Sequence, residues 1–280
     1  MLNYNVSNIV NSLVGKQNII YYIGKKNLFF YTLVNCDNLS IIDHANQPFS
    51  LIASDNPIDY SQSIEKISLH YHSNSVIFFH DNPPSALKKE DKVILNRKLQ
   101  NSFKIFFNQS IKQSWGLPDF ASLVMDYGVP TLSEKNDKKN ACVINLDNNP
   151  GIDRLYQHIK NYIHECDIID NPNLLNRIPE YKICICPNSI YDSIFSASCG
   201  AWVLSSIPKL EENICNITYI NDYGVIQDRI KDILLNWDSL STLIKSSQQH
   251  IKEKYPIDIF YNNISTLFNQ ISKRAFIYET

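Results

Sequence analysis

Lys182 to Ser206 reads KICICPNSIYDSIFSASCGAWVLSS. The runs KICIC and AWVLSS are short, apolar and bounded by turn residues, as strands buried on both faces of a parallel sheet are. Between them, Pro187-Asn188-Ser189 supplies a turn and a helix start, with Ser189 as its N-cap. Gly200 falls where that helix must stop and the next strand begin. The stretch is therefore a compact β-α-β unit. It places the loop from Asn188 to Asp192 at the carboxyl end of a strand, where open α/β sheets bind their ligands.

The same alternation continues on both sides. Upstream, ACVINLD (141–147) reads as a strand, Asn148-Asn149-Pro150-Gly151 as a turn, and 152–164 as a helix with Ile152, Leu155, Tyr156, Ile159, Tyr162 and Ile163 at helical spacing. CDIID (166–170) is a short strand and 173–181 a short helix. Downstream, ITYI (217–220) is a strand, and 223–237, 239–254 and 257–273 are helices. Alternating strands and helices predict a parallel sheet with right-handed crossovers.

The first half is less regular. NIIYYI (18–23), LFFYTLV (28–34), LSIID (39–43), FSLIAS (49–54), SVIFFHD (75–81) and FKIFFN (103–108) all read as strands. Helices are expected at 57–71, at 91–100 with Asp91 as cap, and from Ser110. The polar run TLSEKNDKKN (131–140) has no apolar periodicity and reads as a linker. The expected organisation is an N-terminal α/β domain (1–130), the linker (131–140), a C-terminal Rossmann-like domain (141–256), and a final helix (257–280) packing back on the first domain.

Bulk properties narrow the function. A 280-residue chain that is 44% hydrophobic can bury a core, and disorder is excluded as its ground state. The formal net charge of −2 provides no global basic field, so no nucleic-acid partner is expected. Seven cysteines, most of them in apolar strand-like runs and none in a CxxC pair, fit buried free thiols in a reducing compartment and give no metal site. No apolar run approaches the ~20 residues of a membrane span. The expected location is the cytoplasm, with peripheral membrane contact left open. GxSxG, HExxH and GxxxxGK[ST] do not occur, which removes the commonest hydrolase and NTPase readings. No GxGxxG follows an early strand, which counts against a dehydrogenase or epimerase.

PNSIYDSIFSASCGAWVL (187–204) resembles the donor-site segment of the retaining glycosyltransferase 4-like group. There a Pro-Ser loop and a carboxylate precede a helix, and small residues lead to a glycine and a strand. Asp192 stands at the carboxylate and Ser196 to Gly200 at the small-residue run. Phe195 occupies the place of the group's second glutamate, and the group's glycine-rich loop is absent. FFHDNPPSAL (78–87) is similar to the group's strand ending in His-Asp before an acceptor loop, and MDYGVP (125–130) to its turn before the interdomain hinge. The resemblance implies two Rossmann-like domains facing across a cleft (the GT-B architecture), with C-terminal helices crossing back. It also implies a sugar transferred from a nucleotide-sugar donor to a glycan or other acceptor, without metal and without a separate cofactor. The alternative is an inactive module on the same scaffold, recognising a sugar or protein partner, which Phe195 favours.

The candidate residues follow from both lines. His80 and Asp81, at a strand end, suit a general base or an acceptor-hydroxyl partner, because histidine titrates near neutrality. They read equally as a strand-end turn. Asn148, Asn149 and Gly151 precede a helix whose first N–H groups would attract phosphate, and Arg154 in its first turn would neutralise a diphosphate. Asn188, Ser189, Tyr191, Asp192 and Gly200 complete the expected donor site. Ser189 and Gly200 have helix-boundary roles as well.

Overall fold

The computed structural model describes residues 18–24, 27–36, 39–42, 49–63, 74–84, 86–117, 121–132, 135–146, 148–186, 189–207 and 213–277. These form two compact units. One is drawn from Met1–Lys25, Leu33–Met125 and Tyr261–Thr280, the other from Lys26–Thr32 and Asp126–Phe260.

The first stretch of chain runs β1 (Asn18–Ile23), α1 (Leu28–Val34), β2 (Leu39–Ile42), β3 (Leu51–Ser54), α2 (Pro57–Ser63), β4 (Ser75–Phe79), α3 (Lys89–Lys98), β5 (Phe103–Phe106), α4 (Gln109–Trp115) and β6 (Ser122–Val124). The strands make one sheet in the order β2-β1-β3-β4-β5-β6, and every pair is parallel. All five residues of β4 are buried, which is what a strand covered on both faces requires. One face packs Ile23, Ile52, Ile77, Phe79 and Phe106 against Leu95, Leu99, Ile111 and Trp115 of the helices. On the other, Phe78 lies against Phe107 and Phe268, with ring centroids 6.1 and 6.4 Å away.

Several local expectations are corrected. LFFYTLV is helix α1, not a strand. Asn27 caps it, with its Oδ1 accepting from Phe30 N at 2.9 Å. A seven-residue apolar run does not distinguish strand from buried helix. The parallel pairing of β1 with β2 decides, because parallel neighbours need a crossover between them. Helix α3 begins before Asp91. Lys88 is its N-cap, and the Asp91 carboxylate accepts from Lys88 N at 3.3 Å. Asn108 rather than Ser110 caps α4, through Ile111 N at 2.7 Å. Strand β6 is only three residues long and was not read from the sequence. Helix α2 covers the start of the 57–71 stretch; residues 64–73, with His70 and His72, lie outside the described residues.

The second stretch runs β7 (Lys139–Ile144), α5 (Pro150–Lys160), β8 (Cys166–Ile169), a 3₁₀ segment (Pro172–Glu180), β9 (Tyr181–Cys186), α6 (Ile190–Ser198), β10 (Trp202–Ser205), β11 (Ile217–Tyr219), a short 3₁₀ turn (Tyr223–Val225), α7 (Ile226–Leu235), α8 (Trp237–Lys254) and α9 (Ile257–Ile277). Its sheet is again all parallel, ordered β11-β10-β9-β7-β8. Ala141, Val143, Ile183, Ile185 and Leu204 pack against Ile152, Tyr156, Ile159, Ile226, Ile230 and Ile233. Six cysteines are buried, Cys215 is exposed, and all seven are free thiols.

At the amino-terminal edge of this sheet, Asp167 Oδ2 accepts from Lys139 Nζ (2.9 Å), Arg177 Nη2 (3.1 Å) and Tyr181 Oη (2.7 Å). These bonds, Lys139's foremost, hold its carboxyl below the usual 3.8. Its contribution is present above that unfolded value and is lost as pH falls through the lower folded one. Asp167→Ala is expected to reduce the unfolding free energy by about 1 kcal/mol at neutral pH. The effect should shrink as the pH is taken from neutral down to about 3. Urea denaturation at the two pH values measures both.

Candidate functional site

In the second sheet the strand order reverses between β7 and β9. The chain leaves β7 toward β8 on one side and returns to build β9, β10 and β11 on the other. The loops after β7 and β9 therefore diverge over a shared edge, where sheets of this 2-1-3-4-5 order accept ligands. Both segments that the sequence singles out, 148–154 and 188–192, follow these two strands.

Asn145, directly after β7, organises the first loop. It is buried; its Oδ1 accepts from Asn149 N at 2.8 Å, and its Nδ2 donates to Asp153 Oδ1 at 2.7 Å and to Asn149 O at 3.2 Å. Asn148 takes a left-handed φ of 52° to make the turn. Asn149 is the N-cap of α5, accepting from Gly151 N at 2.8 Å. The Asn149 and Gly151 amides already donate within the loop, so these residues set its shape. Arg154 is exposed on the first turn, its Nε donating to Pro150 O at 3.3 Å.

The second loop enters α6, all nine residues of which are buried. Pro187 and Asn188 lie outside the described residues. Ser189 is the N-cap as expected, its Oγ accepting from Asp192 N at 3.3 Å. The Ser193 hydroxyl is 3.0 Å from both Ser189 O and Ser205 Oγ, which pins the helix start beside the end of β10. Cys186 Sγ donates to Asp192 O at 3.6 Å. Behind it, Cys142, Cys184, Cys186 and Ser196 form a buried chain of contacts 3.2 to 3.5 Å long, and burial pushes the Cys142 and Cys186 thiols up. These contacts hold α6 on β7 and β9.

Two members of the expected donor set are engaged elsewhere. Tyr191 has its hydroxyl engaged elsewhere, donating to Gly128 O at 2.9 Å and lying 2.7 Å from Thr32 Oγ1. Gly200 stands at the opposite, amino-terminal edge of the sheet, because α6 runs back across it. There it takes a φ of 77°, and its carbonyl accepts from Lys138 Nζ at 2.7 Å. It is a helix stop.

In the first unit, His80 and Asp81 follow β4. His80 is buried and stacks on Phe107, centroids 4.7 Å apart. Burial lowers its pKa to about 3, so the imidazole is neutral throughout the working range. Burial raises the Asp81 carboxyl to about 6. The expectation that the histidine titrates near neutrality is thus corrected, since the aspartate does. Trp115 Nε1 donates to Asp81 O at 2.7 Å and fixes this turn.

The sequence reading missed a second group. The first sheet reverses its order between β1 and β3, and Gly24 and Asp55 follow those strands. Gly24 has φ 152°, and a Cβ there would sit 2.2 Å from Asp55 Oδ1. Burial, then the Asp55 carboxylate, raise the Tyr22 hydroxyl well above its ordinary pKa. The signal was present as a glycine ending an apolar strand and an Asp-Asn-Pro ending another. Among the described residues no three His, Cys, Asp or Glu side chains converge to hold a metal ion, and no helix is long and apolar enough to cross a membrane.

No protein-family model and no curated protein sequence matches the chain. Solved structures do. Anabaena HepE in complex with UDP and glucose matches with a TM-score of 0.61 and 10% identity, over 90% of this chain and 99% of its own. The chain has the fold of the GT-B glycosyltransferases. HepE in complex with UDP-glucose gives the same TM-score of 0.61 at 10% identity over 89% and 91%. A sucrose-phosphate synthase from Thermosynechococcus elongatus gives 0.56 at 11% identity over 81% and 75%. At such identities the likeness concerns architecture, and the roles of residues rest on the geometry above.

Asp81 carries a testable consequence. Because its folded pKa is raised, the folded state keeps a proton that the unfolded state releases between about pH 4 and 6, and stability falls as pH rises through that window. Asp81→Asn is expected to be more stable than wild type at pH 8, by at most about 3 kcal/mol. It should match wild type near pH 3.5. Urea denaturation at the two pH values checks the crossover.

Proposed function

We propose that the chain is a glycosyltransferase that takes a sugar from a nucleotide-sugar donor. The observation that carries this reading is the reversal between β7 and β9, flanked by the Asn145-ordered loop and the capped start of α6, in a fold shared with HepE. HepE has been solved with UDP and with UDP-glucose.

The donor diphosphate sits over this edge of the second unit. The start of α6 presents the positive end of the helix dipole and its first N–H groups. Ser189 fixes that helix end, and Arg154 supplies a guanidinium to the departing diphosphate. Asn148, Asn149 and Gly151 shape the facing loop, and Asp192 addresses the sugar.

His80 and Asp81 serve the acceptor. The neutral imidazole is a hydrogen-bonding partner, and the Asp81 carboxylate takes the acceptor proton at a pKa near 6, matched to neutral operation. Positioning and electrostatic stabilisation of the leaving group lower the barrier, without a metal ion.

Calorimetric titration with UDP and UDP-glucose, followed by a turnover assay, tests the proposal. Binding with turnover that is unchanged by EDTA is expected. Arg154→Ala should weaken donor binding about tenfold, and Asp192→Ala should reduce turnover by about 100-fold with an intact circular dichroism spectrum. Neither binding nor turnover with any nucleotide sugar would sink the reading. Binding without turnover would leave a sugar-recognition module.

A further inference from the structure

The geometry points to Tyr191 as a positioning residue: a two-state strut that ties the start of α6 to the places where the chain passes in and out of the second unit. The inference rests on the proposed donor site at that helix end.

Three of those places are Thr32/Leu33, Met125/Asp126 and Phe260/Tyr261; the fourth, Lys25/Lys26, lies outside the described residues. Each of the three has a residue near Tyr191. Thr32 Oγ1 is 2.7 Å from its hydroxyl, and Gly128 O accepts from that hydroxyl at 2.9 Å. The Tyr191 ring meets Phe29 edge-on at 5.4 Å and Tyr127 at 5.3 Å, and Phe29 meets Phe260 at 6.1 Å. Val129 N donates to Tyr255 O at 2.9 Å, which joins the chain just after Met125/Asp126 to the chain just before Phe260/Tyr261. Gly128 is the close approach, since a Cβ there would lie 2.2 Å from Phe260 Cβ.

The two hydroxyls cannot satisfy every contact at once. Thr32 Oγ1 also lies 3.0 Å from Leu28 O. Three oxygen–oxygen contacts therefore share two protons, one from each hydroxyl. In one arrangement Thr32 donates to Tyr191 and Tyr191 to Gly128 O. In the other, Tyr191 donates to Thr32 and Thr32 to Leu28 O. With a proton on the 2.7 Å contact between the hydroxyls, each leaves one buried carbonyl without its hydroxyl donor, and a small displacement of either hydroxyl changes which carbonyl is bonded. Tyr191 is the second residue of α6, two positions after the Ser189 cap. A diphosphate drawn onto that helix start displaces the turn that carries Tyr191, and the hydroxyl pair transmits the displacement to Leu28 or Gly128.

Hydrogen exchange of the full chain, read by mass spectrometry with and without UDP, tests this in wild type, Tyr191→Phe and Thr32→Val. Thr32→Val breaks the same bond without touching α6, so it keeps the test valid if the Tyr191 variant does not fold. In all three, UDP should slow exchange at 189–193. Only in wild type should it also slow exchange at 126–130 and 255–260, and in an activity assay both variants should lose about tenfold in kcat with donor KM within about twofold. Equal protection of 126–130 and 255–260 in all three proteins would overturn the strut, as would none in wild type despite protection at 189–193. An absence of protection at 189–193 in wild type would instead overturn the donor site itself.

Discussion

Every strand pair in both sheets is parallel, so each connection must cross back over a face before the next strand can start. Crossovers that leave a sheet on opposite sides of one strand cannot cover the edge between them. In the second sheet that uncovered edge lies between β7 and β9, and in the first between β1 and β3. The candidate site is a consequence of this constraint before any side chain is considered. Side chains then decide how firmly the two bordering loops are held. Asn145 closes one by bonding across it, and the Ser189 cap with Ser193 and Ser205 fixes the other.

Helix α6 is the element on which function and packing meet. Its nine residues are all buried, so close packing seats its body above β9 and β10. Small side chains, Ser196 to Ser198, let it lie close to the strands, and Cys142, Cys184 and Cys186 fill the space beneath. Packing along its whole length places its amino-terminal end at the carboxyl edge of the sheet. The first unit shows the complementary tactic at Asp81, where burial raises a carboxyl toward neutrality at a cost in stability.

Much of this was legible in the sequence, and unevenly so. The second half was readable because each buried strand is a short apolar run punctuated by Gly, Pro or Asn, and because α5 and α7 carry clear helical spacing. Ser189 as cap and Gly200 as stop were read directly, since those roles depend on local geometry alone. LFFYTLV failed because an apolar helix covered on all sides has no polar face to reveal its period. Tyr191 and Gly200 were assigned to the donor for their proximity in sequence. A nine-residue helix carries Gly200 to the far edge of the sheet, and the Tyr191 hydroxyl is held by residues 63 and 159 positions away. Asn145 was missed because its partners become visible only once the loop is closed. The switched behaviour of His80 and Asp81 follows from burial, which composition does not encode.

The central claim is that an activated sugar is gripped by its diphosphate over the edge between β7 and β9. A crystal structure of the full chain grown with UDP tests it most directly. The account predicts phosphate oxygens within hydrogen-bonding reach of Ser189 and the first turn of α6, facing the loop that Asn145 closes. Nucleotide density at the other edge of the sheet, beside Gly200 and Lys138, or confined to the first unit, would contradict it.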